Sequence, residues 1–141
     1  MKSLKLSLLL ILIPLCAGAQ IEKESYPADL KLERCLDTDS MQTTMGMIDC
    51  YSWALSEWDQ ELNKYYGLLM NILSEDEKTQ LKKSQRNWIA YRDQEVKFSN
   101  EFHYNIQGTL YRIIAAARQM ELTRNRALEL KDYLDTRKES Y

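Results

Sequence analysis

Met45, Ile48, Leu55, Trp58, Leu62, Tyr65, Leu69 and Ile72 recur at intervals of three, four and seven residues, and the run stops at Ser74-Glu75-Asp76-Glu77. The repeat is that of a helix with one apolar face. The stop is itself a helix start: Ser74 can accept from the backbone N–H three residues on, Glu77 can reach back to Ser74, and acids suit the positive end of a helix. One long helix therefore ends and another begins within a few residues, which leaves the two no option but to fold back on each other. Asp37 to Ser40 offer caps for the first helix. Gly46 costs it about 1 kcal/mol relative to alanine without ending the pattern.

In the second helix Leu81, Gln85, Trp88, Ile89, Arg92 and Val96 share an inward face, and Lys78, Lys82, Lys83, Arg86 and Lys97 a solvated one. Gln85, Trp88 and Arg92 together are an unusual core stripe; the plain reading is that Trp88 anchors the core and Arg92 lays its stem across the ring. After aromatic Phe98, Phe102 and Tyr104, Gly108 marks a turn and Thr109 caps the next helix. This third helix runs from about Leu110 to Leu134 on Ile113, Ala117, Met120, Ala127, Leu130 and Leu134, with Thr123 and Arg126 interrupting nearly the same face. No stretch alternates like a strand. The expected fold is all-α: an antiparallel bundle of three long helices, with an irregular N-terminal segment stapled to it by a disulfide. Residues 20–34, which carry Pro27 and alternating charges, read as that irregular lead-in; residues 35–135 form the helical domain and 136–141 a frayed tail.

Met1 to Ala19 has the form of a cleavable signal peptide: Lys2 and Lys5, an apolar run from Leu6 to Leu15, and Ala17-Gly18-Ala19 before Gln20. The run is too short to span a membrane. A competing reading makes Cys16 a lipidated first residue; Pro14 and Leu15 stand where small residues are expected, which argues against a lipid anchor. The expected product is periplasmic or secreted, cleaved after Ala19. Its two cysteines, Cys35 and Cys50, read as one disulfide in an oxidising compartment, worth roughly 3 kcal/mol by the chain-entropy argument; two separate buried thiols are the alternative.

Without Lys2 and Lys5, 17 basic residues face 21 acidic ones, a net charge of −4. That balance argues against a nucleic-acid surface, which needs clustered Lys and Arg. The single histidine, His103, has no companion at metal-ligand spacing, and bridged cysteines leave no thiolate nucleophile. A carboxylate pair such as Asp59 and Asp93 is common on any soluble helical protein. The expectation is therefore no catalytic residues, no cofactor and no metal.

The set Cys35, Cys50, Trp58-Asp59-x-x-Leu62-Asn63-x-x-Tyr66, Leu81-x-x-x-Gln85-Arg86-x-Trp88-Ile89-x-Tyr91-Arg92-Asp93, Gly108-Thr109 and Leu122-Thr123-x-x-Arg126-x-x-x-Leu130 resembles the LprI-like N-terminal domain family over about residues 35 to 130. The resemblance implies a small exported helical protein of bacteria, and its named member is a lipoprotein that inhibits lysozyme. Family members carry two further cysteines at places held here by Val96 and Arg118. Their joint absence implies a second bridge, between the second and third helices, replaced here by packing. Trp58, Asp59, Asn63, Tyr66, Gln85, Trp88, Arg92, Asp93, Thr123 and Arg126 are read as a polar layer that fixes helix register. In it Asp59 or Asp93 would neutralise Arg92 or Arg126, and Asn63, Gln85 and Thr123 would take the remaining hydrogen bonds.

Two binding roles are open to such a chain. The family implies a protein partner, here a basic lysozyme, towards which an acidic chain gains association rate. The alternative is a non-catalytic cell-envelope module with an unrelated partner. The candidate contact is the turn where Phe98, Phe102, His103 and Tyr104 crowd beside Gly108, because exposed aromatic anchors suit interfaces; capping the core is their other reading.

Overall fold

The computed structural model describes residues 25–139. The expected signal peptide, its expected cleavage point and Cys16 lie outside the described residues. Among the described residues four α-helices form, α1 (Pro27–Leu36), α2 (Thr44–Ile72), α3 (Glu75–Tyr104) and α4 (Leu110–Glu139), with a 3-10 turn at Asp39–Met41. No strand occurs among the described residues.

The first correction is α1. Part of the stretch expected to be irregular is helical, because Pro27 sits in the first turn, where a missing N–H is harmless. Asp29 adds a favourable charge at the helix start. Ala28 and Leu32, four residues apart, are buried, and Tyr26 sets its ring edge-on against Trp58 with centroids 5.3 Å apart. The Cys35–Cys50 disulfide joins the end of α1 to α2, with 5.8 Å between the Cα atoms.

Thr43, not Asp37 to Ser40, caps α2 by accepting from the Gly46 N–H at 3.0 Å. The 3-10 turn lies directly against this first turn: a Cβ on Gly46 would stand 2.6 Å from the Met41 carbonyl oxygen. The glycine read as a weak point is thus the residue that lets two backbones touch. The capping box at Ser74 forms, with Glu77 Oε2 accepting from the Ser74 N–H at 2.9 Å. Gly108, at φ 113°, turns the chain into α4.

Sequence neighbours run antiparallel, but the most extensively packed pair is α2 with α4, and these two run in the same direction, as the first and third helices of an up-down-up arrangement must. Cys50, Ala54, Trp58, Leu62 and Leu69 of α2 meet Met120, Ala127, Leu130 and Leu134 of α4 in one core, which Ala28 and Leu32 of α1 close. Helix α3 packs on α4 and is far less apolar inside: of its 30 residues only Leu81, Gln85 and Ser99 are buried. Ile89, expected inward, is exposed. The tail also differs from expectation, since Thr136–Glu139 continue α4, held by an ion pair from Arg137 to Glu77 at the start of α3.

Candidate functional site

The motif residues divide between core and surface. Arg126 is buried between α4 and α3: its Nε donates to Gln85 Oε1 at 3.0 Å, Nη2 to the Ser84 hydroxyl at 3.2 Å, and Nη1 to Glu129 at 2.9 Å. Thr123, fully buried, donates to the Gln119 carbonyl at 3.5 Å within its own helix. Trp58, buried in α2, donates its indole N–H to Asp29 at 3.2 Å. Arg92 lies over the half-buried Trp88 ring, 5.2 Å from its centroid, with its head on Asp93 at 2.7 Å. Asn63 donates to the Asp59 carbonyl and carboxylate at 2.8 and 3.1 Å. Tyr66 is half-buried.

The structure thus brings Gln85 to Arg126, but Asp59 and Asp93 do not reach Arg126, whose carboxylate partner is Glu129. Asp59 is occupied by Asn63 one turn on, and Asp93 by its neighbour Arg92. Asp59, Arg92, Asp93 and Thr123 line a groove of about 430 Å³, and Asn63, Tyr66 and Gln85 a smaller one. These grooves are shallow separations of α2 from α3, a consequence of how little apolar surface α3 offers.

At the α3–α4 turn the arrangement is different. Phe98, Phe102 and Tyr104 are 62%, 54% and 57% exposed. The Phe98 and Phe102 rings are 6.0 Å apart, and Phe102 stands edge-on to His103 at 5.2 Å. His103 Nδ1 is 2.7 Å from the Ser99 carbonyl oxygen, so this ring nitrogen carries the proton and donates. That bond fixes the ring on the helix. Arg112 of α4 lies over the Tyr104 ring at 5.6 Å. Between the helices a groove of about 540 Å³ is lined by Phe98, Phe102, His103 and Ile114, with Glu95, Arg118 and Glu121 along it. Glu95 and Arg118 face each other at 3.4 Å.

Sequence reasoning missed part of this surface. Leu110 and Ile114 are exposed beside the aromatic turn, and Tyr91 continues its row along α3 at the seven-residue spacing that precedes Phe98. That spacing was the available signal. It also missed the pairing of Asp29 with Arg124, whose Nε and Nη2 both donate to the carboxylate, with Arg124 over the Tyr26 and Trp58 rings. The hydrogen bonds that Arg124 donates to the Asp29 carboxylate raise its pKa above the ordinary value.

Among the described residues, no group of His, Cys, Asp and Glu is assembled to hold a metal ion. No described helix is long and apolar enough to cross a membrane. The family model described as "Lysozyme inhibitor LprI" matches residues 35–130. A solved structure of an uncharacterized protein from Burkholderia thailandensis is similar to this chain, at 29% identity and a TM-score of 0.74 over 79% of this chain. The chain spans about half of that protein, 54% of its length. No curated protein matches.

Proposed function

Because this chain belongs to the lysozyme inhibitor LprI family, we propose that it is an exported, non-catalytic binding protein that occludes a lysozyme-type cell-wall hydrolase through its aromatic turn. The family is one of inhibitors, and a disulfide is consistent with export to an oxidising compartment. The observation that carries the choice of surface is the exposure of Phe98, Phe102 and Tyr104 together at one end of the bundle. Large aromatic rings left in water at a rigid turn supply interface anchors at low entropic cost. His103 and Ser99 hold the helix end that presents them, and Glu121 gives the neighbouring groove a carboxylate for a basic partner beside the Glu95–Arg118 pair.

The same exposed apolar surface supports a second reading, a cell-envelope module that binds an unrelated exported partner. One experiment separates the two. Refolded residues 20–141 are assayed against a panel of lysozymes at low and moderate salt, beside a reduced and alkylated control. Inhibition by the oxidised protein that weakens as salt rises, and that Phe102→Ala and Tyr104→Ala reduce at least tenfold, supports the inhibitor. Absence of both inhibition and binding at micromolar concentrations removes the lysozyme and leaves the envelope module.

A further inference from the structure

At the end of the bundle opposite the aromatic turn, the C-terminal turns of α2 and α4 and the first turns of α3 diverge around a cleft of about 660 Å³. That is within the usual range for small-molecule sites. Leu69, Leu73 and Leu81 form apolar walls, the ring of Tyr133 stands exposed beside them, and Ser84 and Arg126 also line it. The Arg126 side chain is only 8% exposed. Two of its partners, Gln85 and Ser84, are neutral, and the carboxylate that faces it, Glu129, is itself 59% exposed. A buried guanidinium is costly unless an anion neutralises it nearby, and water screens much of what an exposed carboxylate contributes. The cleft therefore sets a buried guanidinium, whose carboxylate partner Glu129 stands exposed to water, beside apolar walls and open space.

We propose that this cleft binds a small monocarboxylate with an apolar chain, the carboxylate on Arg126 and Ser84 and the chain against Leu69, Leu73, Leu81 and Tyr133. The planar fork of a guanidinium matches a carboxylate in two-pronged geometry, which an ammonium does not. The lining selects for a single negative charge: Asp76 and Glu77 also border the cleft, and Arg137 already pairs with Glu77. A second anionic group would meet these acids, whereas an apolar tail meets leucine and tyrosine. The site is distant in the fold from the aromatic turn and does not rest on the inhibitor reading.

The test is calorimetric titration of the folded protein with sodium octanoate, with octan-1-ol and octylamine as matched-chain controls. The expected result is saturable one-site binding of octanoate, at least tenfold tighter than either control. Arg126→Gln should weaken octanoate at least tenfold and leave octan-1-ol unchanged; Tyr133→Ala, at an exposed position that the fold does not need, should weaken octanoate severalfold. The comparison of octanoate with octan-1-ol on the unaltered protein decides the matter even if Arg126→Gln fails to fold. No saturable binding of octanoate at millimolar concentration, equal binding of octan-1-ol, or indifference to Tyr133→Ala would overturn the assignment.

Discussion

Asp29 in the first helix and Arg124 in the last form a two-pronged pair, Nε to Oδ1 at 3.0 Å and Nη2 to Oδ2 at 2.7 Å, and the same carboxylate accepts the indole N–H of Trp58. One side chain of α1 thus joins α2 to α4 across the core. Asp29→Ala leaves a buried indole N–H and a partly buried guanidinium without their acceptor, at about 1–3 kcal/mol. Urea denaturation should show a lower midpoint with an unchanged slope. A double-mutant cycle with Arg124→Ala should give a coupling well above that of an exposed ion pair; additivity of the two substitutions would show that the pair contributes nothing of its own.

The two glycines of α2 predict opposite signs. At Gly67 nothing stands within 4 Å of an added Cβ, so Gly67→Ala should stabilise by about 0.5–1 kcal/mol through helix propensity and the unfolded chain. At Gly46 the Met41 backbone, 2.6 Å away, cannot yield as a side chain would, so Gly46→Ala should destabilise by about 1–3 kcal/mol. Thermal melts of both variants side by side check the contrast.

Burial, together with a hydrogen bond to the Glu61 carboxylate, pushes the Tyr65 hydroxyl up to about 12. A tyrosine in the unfolded chain ionises near 10. Above pH 10 the unfolded state releases a proton that the folded state keeps, so stability that is complete below pH 10 falls as pH rises towards 12. Tyr65→Phe should flatten that part of a stability-against-pH curve; an unchanged curve would mean that other groups cause the loss.

Glu95 and Arg118 already meet between α3 and α4, and Val96 adjoins the first of them. A Val96→Cys, Arg118→Cys double variant should oxidise to a second bridge, measured by loss of free thiols. Thiols that persist under oxidising conditions would count against the pairing that the family resemblance implies.

The long helices were legible because each repeats its apolar face over many turns, and the Ser74 to Glu77 break was legible because capping is local chemistry. Helix α1 was not: Ala28 and Leu32 are a single buried pair, too short to show a period, and Pro27 reads as a breaker unless it is known to stand at a helix start. The meaning of Gly46 depends on Met41, which reaches it only through the intervening 3-10 turn. The motif placed Gln85 and Arg126 on helical faces, and their meeting depends on the register of packed helices, but the carboxylate that serves Arg126 is local: Glu129, three residues on in the same helix, was overlooked as surface charge. Asp29 and Arg124 lie 95 residues apart, and no local pattern connects them.

Because α2 finds its main partner in α4, the first long helix to leave the ribosome has only the short α1 to close against until the last one arrives. The contacts that complete the fold are the most distant in sequence, and such contacts form late. Until then the early half lacks most of the partners that bury its apolar face. The pairing of helices that fixes the finished shape therefore also sets the moment at which that shape can form.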